Sequence, residues 1–256
     1  MKMDQIRRKV THRITDRKTP VCVSFPKSGR TWLRKMLFDL DLRVPFTHAG
    51  ASNFEKGGVN DCAVPADHLD KSVLFLLRDP RDVLVSYHKD LSERHKVFSG
   101  SLMEMARTPG IGIDGICQFN LAWTHAAGRF RNFHLLRYED MHGDTAGELA
   151  AVCRFFGVFW HSQARISQVV EASSFSRMQQ AERTGAYADH YPKFWFEGAD
   201  PGRLAKVRRG KAGGFADEMS ADVLDYCNSR LTAMNYPVSY LARPAALPEQ
   251  RFSRSA

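Results

Sequence analysis

Three short apolar runs alternate with segments of helical spacing along this chain. The runs at 21–25, 72–77 and 133–138 have the length and the β-branched or aromatic composition of buried strands. After the first run apolar residues recur with the period of an amphipathic helix as far as Leu40, and after the second as far as Leu91. This alternation predicts an α/β fold with right-handed βαβ connections, in which helices flank a parallel central sheet.

Helical periodicity continues through the second half of the chain. It predicts helices at 116–130, 144–156, 161–171, 174–183 and 220–234. The segment 98–114 has four Gly or Pro residues around a short Met-rich turn, and we expect a mobile flap there. The whole pattern predicts a basic N-terminal arm at 1–18, a single domain at 19–240 and an irregular tail at 241–256.

Composition narrows the class of protein. A chain of 256 residues with 43% hydrophobic residues can bury a sizeable core. The formal net charge of +9 favours an anionic ligand, such as a multiply charged nucleotide, nucleic acid or an acidic membrane surface. No apolar run approaches the ~18 residues of a membrane span, and because residues 1–18 are polar and basic we expect no secretory signal. Five scattered cysteines without a Cys-x-x-Cys pair indicate reduced thiols, so we expect a cytoplasmic protein without a zinc site.

The passage from the first strand into its helix has the chemistry of a phosphate site. Pro26 ends the strand, Ser28 and Gly29 supply a turn, and helical spacing begins at Thr31. Free backbone N–H groups and the positive end of the dipole meet at such a helix N-terminus, and Lys27 adds a charge. The nucleoside-triphosphate loop requires Gly, four residues and then Gly-Lys-Ser/Thr. Here the lysine precedes the only glycine, so the loop is of another kind.

Residues 26–32 read Pro-Lys-Ser-Gly-Arg-Thr-Trp, which resembles the 5′-phosphosulfate loop of the sulfotransferases, Pro-Lys-Ser-Gly-Thr-Thr-Trp. The sequence departs from that pattern only at Arg30. The resemblance implies a P-loop NTPase-like sheet that binds the donor 3′-phosphoadenosine 5′-phosphosulfate (PAPS). It assigns donor binding in this loop to Lys27, Ser28, Gly29, Arg30, Thr31 and Trp32.

A second motif follows the strand at 72–77. Residues 78–87 read Arg-Asp-Pro-Arg-Asp-Val-Leu-Val-Ser-Tyr, and Arg78 sits where the strand ends, with its N–H donors facing the same crevice. A salt bridge to a neighbouring aspartate is the structural alternative for this arginine. The motif resembles the 3′-phosphate motif of the sulfotransferases, and the resemblance gives the phosphate-binding roles to Arg78 and Ser86.

Three further blocks resemble the donor site of the family. They are Tyr-Glu-Asp-Met at 138–141, Ser-Ser-Phe-Ser-Arg-Met at 173–178 and Arg-Arg-Gly-Lys-Ala-Gly-Gly-Phe at 208–215. The first two lie beside the adenine in the family, and the third clamps the 3′-phosphate from a second side. These blocks add Tyr138, Ser174, Phe175, Arg208, Arg209 and Gly210 to the donor-binding residues. The third departs from the family pattern, because Gly214-Phe215 stands in place of Asp-Trp.

Transfer to a hydroxyl requires a proton acceptor, and a neutral histidine suits that role near pH 7. The family's base is a histidine between the first two motifs, where this sequence has His48 and His68. His48 follows an apolar stretch where a further strand could end at the crevice, whereas His68 precedes the strand at 72–77 and lies at its amino end. We therefore assign His48 as the base, with His68 as the alternative, and Lys27 as the catalytic cation.

The sequence thus predicts a PAPS-dependent sulfotransferase that moves a sulfuryl group in line to an acceptor hydroxyl. PAPS is the co-substrate, no metal is expected, and nucleic acid is not an expected partner. The acceptor would be a glycan or lipid-linked sugar, or else a phenol or small metabolite, with walls from 53–70 and 98–114. The oligomeric state is left open.

Three alternatives stay open on the sequence. A nucleotide or small-molecule kinase could share the fold, and turnover of ATP with Mg²⁺ would favour it. A non-catalytic nucleic-acid-binding module would use the basic surface and bind in a strongly salt-dependent way. A degenerate sulfotransferase could bind the donor without transferring its sulfuryl group.

Overall fold

The computed structural model describes residues 20–52, 62–186 and 210–242. Within them, parallel strands form one sheet in the order β2-β1-β3-β4. The strands are β1 (Val21–Ser24), β2 (Phe46–Thr47), β3 (Ser72–Leu77) and β4 (Asn132–Arg137). Their register sets Val23 beside Phe75, and Phe75 beside Leu135. The predicted parallel central sheet is confirmed, and β1 and β3 are its inner strands.

Helices connect and cover these strands. They are α1 (Arg30–Asp39), α2 (Pro80–Lys89), α3 (Leu102–Arg107), α4 (Ile113–His125), α5 (Tyr138–Gly143), α6 (Thr145–Phe155), α7 (Gln163–Ala172), α8 (Phe175–Thr184) and α9 (Ala221–Ala233). A π-helical turn, Asp90–Arg94, continues α2. Short 3-10 turns lie at Ala66–His68, Ala127–Arg129, Gly214–Asp217 and Val238–Tyr240.

The sheet separates two hydrophobic cores, because successive residues of a strand point to opposite faces. On β3, Phe75 packs into the core formed with α2, α3, α4 and α9, where Trp123 is fully buried. Leu74 and Leu76 point the other way, into the core formed with α1, α5, α6 and α7. Covering on both faces explains why β1 and β3 read as continuous apolar runs rather than alternating ones.

The segment 98–114 differs from the expected flap. It contains all of α3 and the start of α4, and α3 begins at a capping box in which Ser101 and Glu104 satisfy each other's backbone N–H groups. Met105 and Ile113 are fully buried in the core. The Gly and Pro residues therefore serve as turns between packed helices, and the apolar residues between them determine the structure.

Other boundaries move by a few residues. The strand predicted at 133–138 ends at Arg137, because Tyr138 begins α5, and the helix predicted at 116–130 spans Ile113–His125. The arm at 1–18 and most of the tail at 241–256 lie outside the described residues. The first two tail residues are packed, since Ala242 is buried and donates its backbone N–H to the Asp79 carboxylate at 2.8 Å.

The described ranges contain no helix long and apolar enough to cross a membrane. In the same ranges no group of three or more His, Cys, Asp or Glu side chains could hold a metal ion. All five cysteines are buried free thiols. Burial raises the pKa of each of the four thiols for which a shift is resolved, to about 11 at Cys153 and about 12 at Cys227.

Candidate active site

The carboxyl ends of three neighbouring strands carry the motifs singled out from the sequence. Lys27 lies in the loop after β1, Arg78 directly follows β3, and Tyr138 directly follows β4. Ligands of open α/β sheets bind at this edge, where the loops after parallel strands converge. The residues of the three motifs therefore reach a common crevice although they are up to 111 positions apart, from 27 to 138.

The loop between β1 and α1 is tightly wound. Lys27 and Gly29 both adopt left-handed backbone conformations, with φ of 70° and 97°. A Cβ atom on Gly29 would lie only 2.5 Å from Cδ2 of Tyr138, so the loop is pressed against that ring. No side chain caps the N-terminus of α1, which leaves backbone N–H groups of its first turn available to an anion.

Arg78 is the centre of the site. Its Nη1 donates to the carbonyl oxygen of Lys27 at 3.1 Å, and its Nη2 to that of Lys211 at 3.2 Å. The guanidinium carbon lies 4.2 Å from the centroid of the Tyr138 ring. A carboxylate oxygen of Asp82 is 3.6 Å from Nη2, so the aspartate contact considered from the sequence exists but is long. The buried Nε of Arg78 has no hydrogen-bond acceptor among the described atoms, and this donor could serve a phosphate oxygen.

Aromatic residues also lie in this crevice. The rings of Trp32 and Tyr138 meet edge to face with centroids 5.9 Å apart, and His142 packs against both. The indole N–H of Trp32 donates to the carbonyl oxygen of Ser173 at 3.0 Å. This bond ties the first loop to the start of α8, where Ser174 is the N-cap and Phe175 the first residue.

The late loop closes the site. A Cβ atom on Gly210 would lie 2.0 Å from Cδ2 of Phe175, so the loop backbone sits directly on that ring. The next residue, Lys211, accepts the hydrogen bond from Arg78 described above. Contacts thus run from the first loop through Arg78, Lys211 and Gly210 to Phe175. The ring closes through Ser173, two residues before Phe175, which accepts from Trp32. Arg208 and Arg209 lie outside the described residues.

Asp82 anchors this late loop. Its two carboxylate oxygens accept from the backbone N–H groups of Gly213 and Phe215, each at 2.8 Å. Arg81 stacks on the Phe215 ring at 4.0 Å. Burial raises the pKa of Asp82, and the Arg78 cation and the two amides oppose that rise. The loop is therefore held from the motif at 78–87 although it departs from the family's Asp-Trp.

His48 lies at the same edge of the sheet. It follows β2, and its Nδ1 is 2.6 Å from the carbonyl oxygen of Ser24, the last residue of β1. Because a carbonyl only accepts, Nδ1 carries the proton and Nε2 is left as an acceptor. Burial lowers the pKa of His48 to about 3, with the Arg30 cation as the next cause. The histidine is therefore neutral near pH 7.

His68 has different surroundings. Its Nδ1 lies 2.9 Å from the carboxylate of Asp67, and its ring packs edge-on against Trp123 at 5.6 Å. It stands before β3, at the amino end of the strand, as the sequence indicated. His68 therefore packs against Trp123 at the amino end of β3.

Some predicted donor residues are near the site without a direct link to the ring of contacts. Ser28 is buried, whereas the side chains of Thr31, Ser86 and Ser174 are partly exposed, and no hydrogen bond of these hydroxyls is found in the described part of the chain. Burial lowers the pKa of Arg30, whose charge acts on His48. These side chains stay predictions as ligands of the donor.

Sequence reasoning missed three residues of the site. Asp82 lies within the motif at 78–87, and Asp90, whose carboxylate is 2.8 Å from Nζ of Lys27, lies just after it. Their partners are far away in sequence, so no spacing indicated these two residues. His142 could have been found, because it stands four residues after Tyr138 and helical residues at that spacing share a face. Its pKa is lowered by burial and by the Arg78 cation.

A family model described as "Sulfotransferase domain" matches residues 63–232, more than half of the chain. The chain belongs to the sulfotransferase family. Sulfotransferase 2A2 of Rattus norvegicus is 25% identical to it over an alignment of 167 residues, and the match covers 54% of this chain and 58% of that protein. The chain thus spans less than two thirds of the length of this curated relative. The loop at 26–32 precedes the matched range, so the interpretation of this loop rests on its own residues and geometry.

Sulfotransferase structures share the fold. Mouse sulfotransferase SULT7A1 complexed with PAP superposes with a TM-score of 0.63 at 16% identity, over 88% of this chain and 86% of that one. Retinol dehydratase in a complex with retinol and PAP gives a TM-score of 0.62 at 19% identity, over 91% and 85%. The parallel sheet and its flanking helices are therefore those of the P-loop NTPase-like sulfotransferase fold.

Proposed function

We propose that this sulfotransferase moves the sulfuryl group of PAPS to the hydroxyl of an acceptor molecule. The observation that carries the proposal is the closed ring of contacts through Arg78, which unites five separated motifs at one edge of the sheet. Membership of the family supplies the reaction class. Structural neighbours with bound PAP support PAPS as the donor.

Arg78 and the late loop are the proposed ligands of the donor's 3′-phosphate. The unpartnered Nε of Arg78 supports this role, and the resemblance adds Ser86, Arg208 and Arg209. The uncapped start of α1, including the backbone of the loop at 26–32, would bind the 5′-phosphosulfate. The adenine would lie between the aromatic groups of Trp32, Tyr138 and Phe175.

Transfer would proceed by in-line displacement. The acceptor oxygen forms a bond to sulfur while the bond from sulfur to the bridging oxygen breaks, and the electron pair stays on the 5′-phosphate. Lys27 opposes the charge that develops on the bridging oxygen. The Nε2 atom of His48 takes the proton from the acceptor hydroxyl. The products are a sulfate ester and adenosine 3′,5′-bisphosphate (PAP).

The acceptor is proposed only as a molecule with a hydroxyl group. Retinol dehydratase, one of the structural neighbours, has been crystallised with androsterone and with retinol. We also propose a cytoplasmic location, because buried free thiols suit a reducing compartment.

Calorimetric titration with PAP and with 5′-AMP tests the donor site. Charge-assisted hydrogen bonds contribute about 1.5–3 kcal/mol each, so we expect PAP to bind at least about tenfold more tightly than 5′-AMP. Equal affinities would contradict the assignment of the 3′-phosphate site.

Incubation with PAPS and a panel of hydroxyl acceptors tests the reaction. We expect formation of PAP that depends on the acceptor. Turnover of ATP with Mg²⁺ and none of PAPS would favour a kinase, and salt-dependent binding of nucleic acid without PAP binding would favour a binding module. Binding of PAP without transfer to any acceptor would identify a degenerate sulfotransferase.

A further inference from the structure

The proposed catalytic lysine is held by a carboxylate that no motif includes. Nζ of Lys27 lies 2.8 Å from Oδ1 of Asp90, and the two side chains are only 17% and 18% exposed. Lys27 adopts a left-handed backbone conformation with φ of 70°, and its side chain is directed to Asp90 by the ion pair. A largely buried pair of this kind is screened less by salt than a pair on the surface.

Asp90 occupies a special position on the helix. It is the first residue of the π-helical turn at 90–94, and its N–H donates to the carbonyl of Ser86 one turn earlier. Turns of the π type are frequent at functional sites. Asp90 therefore follows by one helical turn the serine that the family resemblance assigns to the 3′-phosphate.

The charges around Lys27 are mostly positive. Arg94 and Arg78 both lower its pKa, as does burial, which is the largest cause, and Asp90 is the carboxylate that raises it. The imidazole Nε2 of His95 lies 3.8 Å from the other oxygen of Asp90. Within the described ranges, Asp90 is therefore the carboxylate that acts on Lys27 against two arginine cations, in a place that a phosphosulfate oxygen could also fill.

We propose that Asp90 is a positioning residue that holds the ammonium group of Lys27 until the donor displaces it. This inference rests on the proposed function, because it assigns to Lys27 the bridging oxygen of PAPS. In the donor-free protein the Asp90 carboxylate takes the place of the donor's anionic oxygens. The donor then competes with Asp90 for Lys27, so part of the attraction between Lys27 and the donor is spent in breaking the ion pair.

Asp90→Asn removes the competing charge while preserving the size of the side chain. We expect the dissociation constant for PAP, measured by calorimetry at pH 7, to fall at least about fivefold. In a Lys27→Met background the same substitution should change PAP affinity clearly less than in the wild type, because no ammonium group is left to release and only the direct repulsion between Asp90 and the phosphate remains. Asp67→Asn is the matched control, since Asp67 is exposed and pairs with Lys71 at 3.1 Å. It should leave PAP affinity unchanged.

A second readout does not depend on nucleotide binding. The titration of Lys27, followed by ¹³C NMR of the reductively methylated protein, should shift to lower pH in Asp90→Asn and stay unchanged in Asp67→Asn. If the wild type does not bind PAP, the proposed function fails, and the titration alone still decides whether Asp90 holds Lys27. An unchanged Lys27 titration would overturn the inference. If the wild type binds PAP, two binding results would also overturn the inference. One is a PAP affinity that is unchanged in Asp90→Asn, and the other is a change in PAP affinity that is the same with and without Lys27.

Discussion

Gly29→Ala tests whether the first loop depends on the close approach of its backbone to Tyr138. Two costs are expected. A φ of 97° is unfavourable for alanine by about 1–2 kcal/mol. The added Cβ would also lie 2.5 and 2.7 Å from two ring carbons of Tyr138, and such overpacking typically costs about 1–3 kcal/mol. Together they predict a loss of about 2–5 kcal/mol in the free energy of unfolding, unless the loop moves away from the ring.

Two other glycines separate these costs. Gly157 has a φ of 73° and nothing within 4 Å of an added Cβ, so Gly157→Ala should show the backbone cost alone. Gly143 has neither a positive φ nor a neighbour, and it ends α5, so Gly143→Ala should be neutral or slightly stabilising. Urea denaturation of the three variants gives the free energies of unfolding, and calorimetry gives their affinities for PAP.

The expected order of destabilisation is Gly29→Ala, then Gly157→Ala, then Gly143→Ala. Only the first should weaken PAP binding, because a relaxed loop no longer places its N–H groups and Lys27 against Arg78. A Gly29→Ala protein as stable as Gly157→Ala, with PAP affinity equal to the wild type, would refute the reasoning.

Three further predictions concern ionisable side chains of the site. Asp82→Asn should weaken PAP binding by about tenfold, because the late loop loses a charge-assisted acceptor, at a cost of about 1.5–3 kcal/mol. An unchanged PAP affinity in calorimetry would count against Asp82 as the anchor of the late loop. Lys27→Ala should lower kcat by about 10²-fold or more. Its effect on PAP affinity should be small, because the binding energy that Lys27 contributes is offset by the cost of breaking its ion pair with Asp90. A change confined to KM would disprove this role of Lys27. His48→Gln should abolish transfer and keep PAP binding, whereas His68→Gln should stay active. The pKa of His48 is lowered to about 3, so titration of His48 should not change the wild-type rate between pH 5 and 8. A change of the rate near pH 6.5 that is traced to His48 would contradict the structure.

The same histidine has a consequence for stability. Its pKa is lower in the folded protein than the usual value of about 6.5 in an unfolded chain. The unfolded chain therefore binds a proton that the folded protein does not, and the His48 contribution to the free energy of unfolding should decrease as pH falls below about 6.5. Above that pH the contribution is constant. Urea denaturation of wild type and His48→Gln between pH 5 and 8 measures the difference.

Much of the fold could be predicted because the inner strands are covered on both faces. β1 and β3 are continuous apolar runs for this reason, and their following helices carry clear amphipathic spacing. β2 could not be delimited, since two residues are too few for any periodicity, and only its place before His48 suggested it. At 98–114 the Gly and Pro content was misleading, because local turn signals do not report burial of residues such as Met105.

The site, like the fold, has features that the sequence could predict and features that it could not. The places of Lys27 and Arg78 at the ends of strands could be predicted, because each lies in a local motif whose spacing along the chain sets that place. Contacts between motifs could not, because they depend on how distant loops settle on the sheet. Asp82 and the backbone of Gly213 are 131 positions apart, and no local pattern indicates that they form a hydrogen bond.

The motif at 78–87, proposed to bind the 3′-phosphate, also holds two loops of the site in place. Arg78 joins the first loop to the late loop, while Asp82 holds the backbone of the late loop at two amides. Backbone N–H groups are present whatever the side chains are, so glycine in place of the family's aspartate does not remove this anchor. Phe215, which replaces the family's tryptophan, keeps an aromatic face, and the Arg81 guanidinium stacks on it at 4.0 Å. The donors to Asp82 are the N–H groups of Gly213 and Phe215, which flank the glycine that replaces the family's aspartate. The anchor of the late loop and its aromatic contact are therefore both retained despite the two departures from the family pattern.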